Sequence, residues 1–278
     1  QMNELSEFVG YDIRMISPDF GNAWMIKIKS TLLLIFLATA ACSNPISDLE
    51  NKIEAQAAKN NVDMSYAEIK KTAIYLDTWS KKDFYQDAID EFKEKDKVTS
   101  HPEDLILFTG SSSIRFWGSL EEDMAPHAVL NRGFGGAHIA HVNYHFNEVV
   151  KAYEPKAIVF FCGTNDLAAL KSPAETFDDF LKFYTMIKEE LPGTKLIVIG
   201  VKPTIAREYL ILEEKTFNGL ISNLATEEDL LTYVSVWDPM LTSEGKADPK
   251  LFVEDGLHIN ERGYEIWTRL VRLAIESL

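Results

Sequence analysis

Five short apolar runs punctuate the chain after its first hundred residues: Leu105–Phe108, Val129–Leu130 with Asn131, Ala157–Cys162, Leu196–Gly200 and Tyr233–Trp237. Between them apolar positions recur at helical spacing, over about 138–152, 173–191 and 206–226, and a last such stretch covers 260–277. Strands alternating with helices predict right-handed βαβ units and a parallel, doubly wound sheet. The runs at 157–162 and 196–200 are almost continuously apolar, as central strands covered on both faces should be. In such sheets ligands bind beyond the strands' carboxyl ends, so polar motifs with chemistry should directly follow the apolar runs.

The chain before Leu105 reads differently. From Ile69 to Lys97, Ile74, Trp79, Phe84, Ala88, Ile89 and Phe92 alternate with charges, which predicts one or two amphipathic helices on the outside of the domain. Residues 43–65 are polar and rich in Asn, Lys and Ala, as a tether would be. Met25-Ile-Lys-Ile-Lys-Ser-Thr precedes Leu32–Cys42, an apolar run too short to span a bilayer that ends in small residues. This predicts an export signal. Small residues before Cys42 fit a lipoprotein site that would make Cys42 the lipidated N-terminus. Thr39 departs from that pattern, and a plain signal peptide with an incidental Cys also fits. Residues 1–24 have no signal character, and a start codon set too early, with Met25 the better start, is the expectation. The expected organisation is a leader over 1–42, a tether over 43–68 and one domain over 69–278 with an N-terminal helical extension. The expected location is the bacterial cell envelope, with a membrane reached through Cys42.

Composition narrows the partners. The 278 residues can bury a sizeable core, with 46% hydrophobic and 26% charged residues. A formal net charge of −15 argues against nucleic acid and against an anionic membrane surface as partner. Cys42 and Cys162 are the two cysteines, and neither a structural disulfide nor zinc spacing is expected of them.

The polar motifs do follow the apolar runs. After the first run comes Gly110-Ser111-Ser112-Ser113, a Gly and a hydroxyl cluster that can present a nucleophile or simply form a turn with a Ser cap. After the second comes Asn131-Arg-Gly-Phe-Gly-Gly136, suited to an anion nest, to an oxyanion donor or to a tight turn. His138 stands where a dinucleotide fingerprint needs its third Gly, so that motif fails. After the third run comes Gly163-Thr-Asn165-Asp166. Its Asn can donate a side-chain N–H to a developing oxyanion, or cap a helix. Near the C-terminus Asp255-Gly-Leu-His258 puts a carboxylate and an imidazole on one loop, where the first can fix the tautomer of the second. A hydroxyl, a Gly, an Asn and an Asp–His pair on separate strand ends supply every role that acyl transfer requires. The Ser…Asp…His order matches α/β-hydrolases, but their G-x-S-x-G elbow is absent.

These four motifs, in this order, resemble the SGNH (GDSL-type) esterase/lipase family over about residues 69–278. The strings NRGFGG and DGLHIN-x-x-GY, and Lys202-Pro203 after the fourth run, resemble an exported bacterial subgroup with a GSSSIR-type opening. The resemblance implies a flavodoxin-like three-layer α/β/α sandwich with a five-stranded parallel sheet, and no metal or organic cofactor. It points to Ser112 as nucleophile, with Ser113 the rival and Ser111 in place of the family's Asp. It implies Asp255 and His258 as the catalytic partners. It implies an oxyanion hole of Ser112, Gly136 (Gly135 being the alternative) and Asn165. The implied substrate is a small-molecule or glycan ester with a short acyl group such as acetyl. A lysophospholipase or thioesterase is the alternative within the fold, and a silent carbohydrate-binding lipoprotein the alternative outside enzymes. The sequence sets no oligomeric state.

Three histidines tempt a different reading. His138, His141 and His145 share one face of a predicted helix, with Glu148 on the same stripe. A metal site or a substrate contact is conceivable there, and a polar helix start is the plainer reading. Cys162, inside an apolar run without a cationic neighbour in sequence, reads as a buried strand residue and not as a nucleophile. Arg115, Phe116 and Trp117 either wall the cleft or pack the helix after the serines. Tyr264 and Trp267 read as core.

Overall fold

The computed structural model describes residues 44–278, so the leader and Cys42 lie outside the described residues. The described residues fall into two compact units, one ending at Ala73 and one spanning Ile74–Leu278. In the first, the stretch expected to be a tether contains a helix, α1 (Pro45–Lys59). Asn44 caps it by accepting from the Ile46 N–H, Pro45 opens it and Lys59 closes it. Each feature suits its place, since Pro lacks the N–H that a first turn leaves unpaired and a cation favours a helix's last turn. Only a narrow stripe, Ile53 and Ala57, is buried, which is why the composition reads as a tether. The next helix, α2 (Tyr66–Trp79), starts at a Ser65–Glu68 capping box, and α3 (Gln86–Asp96) follows it.

Five parallel strands form the sheet of the second unit: β1 (Ile106–Gly110), β2 (Val129–Gly133), β3 (Ala157–Phe161), β4 (Lys195–Ile199) and β5 (Leu231–Val234). Their order is β2-β1-β3-β4-β5, the expected flavodoxin-like arrangement. Every residue of β1 and β3 is buried, and alternate residues feed two separate cores. Leu107, Ile158, Phe160 and Val198 meet Phe180, Phe183 and Ile187 of α9 (Pro173–Glu190) and Phe217 of α10 (Ile211–Leu224). Phe108, Val159, Phe161 and Ile197 meet Trp117 and, from α11 (Glu261–Glu276), Trp267 and Val271. Fully burying one such side chain contributes roughly 1.5–3 kcal/mol.

The chain leaves β1 through a position only glycine can fill. Gly110 has φ +123°, and a Cβ there would stand 2.1 Å from the Phe161 carbonyl oxygen. The same carbonyl accepts from the Ser111 N–H (2.8 Å), while the Gly110 carbonyl accepts from the Phe134 N–H (3.0 Å). The serine turn is thus tied to both neighbouring strand ends.

Three predicted elements differ in detail. The helix expected over 138–152 is broken into α6 (Ile139–Tyr144), α7 (Phe146–Val149) and a 3-10 turn, with His145 at the first break. The last strand ends at Val234, earlier than the apolar run suggests, because Val236 and Trp237 pack in the loop beyond it. The helix expected from 206 begins at Ile211, and residues 206–210 form a loop and 3-10 turn that carries Arg207 inward.

Candidate active site

Ser112 opens a one-turn helix, α4 (Ser112–Arg115), directly beyond β1, and α5 (Leu120–Met124) follows it. Asp255 and His258 lie on the loop between a 3-10 turn at Pro249–Leu251 and α11. The fold brings these distant residues together. The His258 Nε2 lies 2.9 Å from Ser112 Oγ, and its Nδ1 lies 2.5 Å from Asp255 Oδ2. A carboxylate only accepts, so Nδ1 carries the ring proton and Nε2 is left as acceptor for the Ser112 hydroxyl. Burial works to raise the Asp255 carboxyl. The His258 ring and the backbone N–H groups of His258 and Leu257 outweigh that by donating to it, and hold it at about 2. It is therefore a carboxylate at any pH near neutral. Asn260 caps α11 through its side chain and donates to the Lys250 and Phe252 carbonyls, which closes the loop carrying His258. Phe116, 42% exposed, stands edge-on to the His258 ring at 5.0 Å.

The rival serine faces elsewhere. Ser113 accepts from the Lys202 ammonium (3.2 Å), and the Tyr264 hydroxyl donates to its carbonyl (2.9 Å). Lys202 is fully buried, 5.0 Å from the centre of the Phe161 ring, and burial lowers its amine to about 7. Trp117, expected either to wall the cleft or to pack, is core, against Phe108, Tyr264 and Trp267.

Gly136 and Asn165 follow the two strands that flank β1. Asn165 lies in α8 (Thr164–Ala168), 2% exposed, and its Nδ2 donates to the Ala137 carbonyl at 3.0 Å, so the two turns are joined. The Gly136 carbonyl accepts from the Trp79 indole N–H at 3.0 Å. Asp166, wholly buried, accepts from the Ile139 N–H at the start of α6 and pairs with Lys171 at 3.0 Å. Burial raises its carboxyl, against the pull of Lys171. The three strand ends beside the serine are thus locked to one another through buried polar contacts.

The histidine stripe is a packing device. His138 packs at a tilt against Trp79 and stacks on His141, with ring centres 4.3 and 4.8 Å apart. His141 Nδ1 accepts from the His138 N–H, and its Nε2 reaches the Lys81 carbonyl at 3.0 Å. Among the described residues no group of three or more His, Cys, Asp or Glu is arranged to hold a metal ion. Burial pushes the Cys162 thiol well up, and its Sγ donates to the Ala137 carbonyl. It is a strand-end thiol and not a thiolate. Among the described residues no helix is long and apolar enough to cross a membrane.

Arg207, Trp79 and the pairing of Asp166 with Lys171 carry no local pattern that ties them to the strand-end motifs. Lys202-Pro203 after β4 was a signal, but Arg207 falls where a helix start was expected and its charge reads as solvated. Nothing local distinguishes it from a surface arginine.

Residues 98–266 match the family model of GDSL-like lipases and acylhydrolases. No curated protein sequence matches the chain. Among solved structures, a GDSL-like lipase from Bacteroides thetaiotaomicron aligns with TM-score 0.60 at 23% identity, over 68% of this chain and 97% of that one. A lipase/acylhydrolase from Enterococcus faecalis aligns with TM-score 0.50 at 20% identity, over 62% and 95%. A carbohydrate esterase family 3 protein from Talaromyces cellulolyticus aligns with TM-score 0.50 at 12% identity, over 62% and 96%.

Proposed function

Because the chain belongs to the GDSL-like lipase/acylhydrolase family, and is therefore a hydrolase of ester bonds, we propose that it works as a serine esterase through Ser112. The observation that carries this reading is the continuous line from Asp255 through His258 to the Ser112 hydroxyl. His258 takes the Ser112 proton as Oγ attacks the ester carbonyl carbon. The carbonyl π electrons move to oxygen, and the backbone N–H groups of Ser112 and Gly136 with the Asn165 amide donate to that oxyanion. Asp255 holds the ring and stabilises the imidazolium. Collapse of the intermediate breaks the C–O bond, and His258 returns the proton to the leaving alkoxide. Water repeats the cycle on the acyl-enzyme and releases the acid.

For the substrate we infer a short acyl group, such as acetyl, on carbohydrate. One fold relative named as a carbohydrate esterase is consistent with this. The chain is further proposed to be exported and lipid-anchored at Cys42, on the basic, apolar and small-residue order of residues 25–42.

The decisive experiment compares p-nitrophenyl acetate turnover by wild type, Ser112→Ala and Ser113→Ala. Ser112→Ala should lose about 10⁶-fold in kcat, the scale for removing a serine nucleophile. Ser113→Ala should keep most activity. Equal rates for wild type and Ser112→Ala would overturn the mechanism. Acetylated glycans should be turned over faster than long-chain esters, lysophospholipids or thioesters. The reverse order would select the lysophospholipase or thioesterase alternative. Binding of glycans without turnover would mark a silent binding protein.

A further inference from the structure

The loop after β4 sends two buried cations under the strand ends, and the proposed mechanism uses neither. Lys202 goes to Ser113. Arg207, with no exposed surface, goes to the turn after β3. Its NH1 group donates to the Thr164 carbonyl (3.1 Å), to Thr164 Oγ1 (3.2 Å) and to Asn165 Oδ1 (3.0 Å). Thr164 in turn donates to Glu214 at 2.9 Å, and Glu214 is fully buried. A helix residue far along the chain thus anchors the threonine on which the guanidinium rests.

The bonds fix which way the Asn165 amide faces. An amide has one acceptor oxygen and two N–H donors. A guanidinium only donates, so the end of the amide beside Arg207 must be the oxygen. The Ala137 carbonyl only accepts, so it takes one N–H. One N–H of Asn165 is left. A neutral amide held by water or a hydroxyl could flip and present its oxygen to a developing anion, which would repel it. The Ala137 carbonyl and the cation on Oδ1 together remove that alternative. The cation also draws electron density from the amide, so the remaining N–H becomes a better donor, as bonds in series polarise one another in a dry interior.

We propose that Arg207 is a positioning residue for ester hydrolysis: it locks and polarises the Asn165 amide so that its free N–H meets the oxyanion. This rests on the reading of Asn165 as an oxyanion donor. Arg207 does not touch the substrate. Its effect passes through Asn165, and that is what can be tested. Burial pushes Glu214 up to about 7, against the pull of Thr164, Arg207 and Lys202. The guanidinium, always charged, is the fixed member of this group.

The test is a double-mutant cycle on the full chain with p-nitrophenyl acetate: Asn165→Ala, Arg207→Met, both together, and Arg207→Lys. Asn165→Ala should lower kcat by about 10²–10³-fold. Arg207→Met should lower kcat by about 10- to 100-fold with KM changed less than about threefold, short of losing the donor outright. The double variant should be no slower than Asn165→Ala alone, because Arg207 then has nothing to position. Arg207→Lys keeps a buried N–H donor without the planar fork, so it should fold and recover only part of kcat. It carries the test should Arg207→Met fail to fold. Full multiplication of the two losses in the double variant would overturn the proposal, as would wild-type kcat in both Arg207 variants. Wild-type kcat in Asn165→Ala would instead overturn the oxyanion reading beneath it, and this inference with it.

Discussion

The two sides of the serine are built in different proportions of local and distant contacts. On one side, Gly136 and Asn165 sit on buried strand ends, and their partners come from far along the chain: Trp79, Arg207 and, through Thr164, Glu214. On the other, Asp255 and His258 share one loop, three residues apart, with side chains 43% and 17% exposed. The first side is held by tertiary packing and can be stiff before substrate arrives. The second is held mostly by contacts within its own loop, joined from elsewhere by Ser112, the Phe116 ring and the Ile205 and Ala206 N–H groups, which donate to the Gly256 carbonyl. An oxyanion hole needs fixed dipoles, because reorganising them during the reaction would cost the stabilisation they give. A base that passes a proton twice needs a fixed tautomer, which a single adjacent carboxylate provides.

The sharpest way to break the comparison is Asp255→Asn. An amide beside Nδ1 no longer enforces the Nδ1–H tautomer, so kcat should fall by about 10⁴-fold. The pair is partly exposed, so the melting temperature should move little near neutral pH. Rates and melting curves on one preparation check both halves. A large stability loss at unchanged rate would reverse the roles assigned to the two sides.

On the buried side the expected rate effect is smaller and the stability effect larger. Trp79→Phe removes the indole N–H from the Gly136 carbonyl and leaves an acceptor in a buried turn. An unmet buried group costs about 1–3 kcal/mol, so the melting temperature should drop by several degrees. Turnover should fall only a few-fold, since the Gly136 N–H remains on the backbone. A loss as large as that of Asp255→Asn, without unfolding, would mean that Trp79 sets the site directly.

The same contrast explains what could be read from the sequence. Asp255-x-x-His258 is local, and its spacing carries its geometry. Apolar periodicity shows the sheet, because strand and helix periods depend only on near neighbours, and strand ends then single out Ser112, Gly136 and Asn165 as candidates. Arg207 and Trp79 could not be found that way. An arginine at a helix start and a tryptophan on an amphipathic stripe look like surface and core, and only the folded chain shows that each ends on a candidate site residue. The helix at Pro45–Lys59 is hidden in the sequence for a related reason. Two buried residues in fifteen leave a composition that reads as linker, although its Asn-Pro start is a helix signal.

The smallest effect concerns acid. His141 is buried, and burial, reinforced by His138 and opposed by Asp166, lowers its ring to about 3. His138 is lowered too, chiefly by burial. In the unfolded chain such rings take up a proton near pH 6.5. Between 6.5 and about 3 the unfolded form therefore binds more protons than the folded one, and stability must fall as pH falls through that window. Each ring contributes a slope of at most about 1.4 kcal/mol per pH unit. Melting temperatures at pH 7.5, 6, 5 and 4 should decline faster for wild type than for His141→Gln. That variant starts lower, because it lacks the bonds to the His138 N–H and the Lys81 carbonyl, but titrates with one ring fewer. Equal slopes would mean that His141 protonates without unfolding the chain, and that the buried side is looser than its contacts imply.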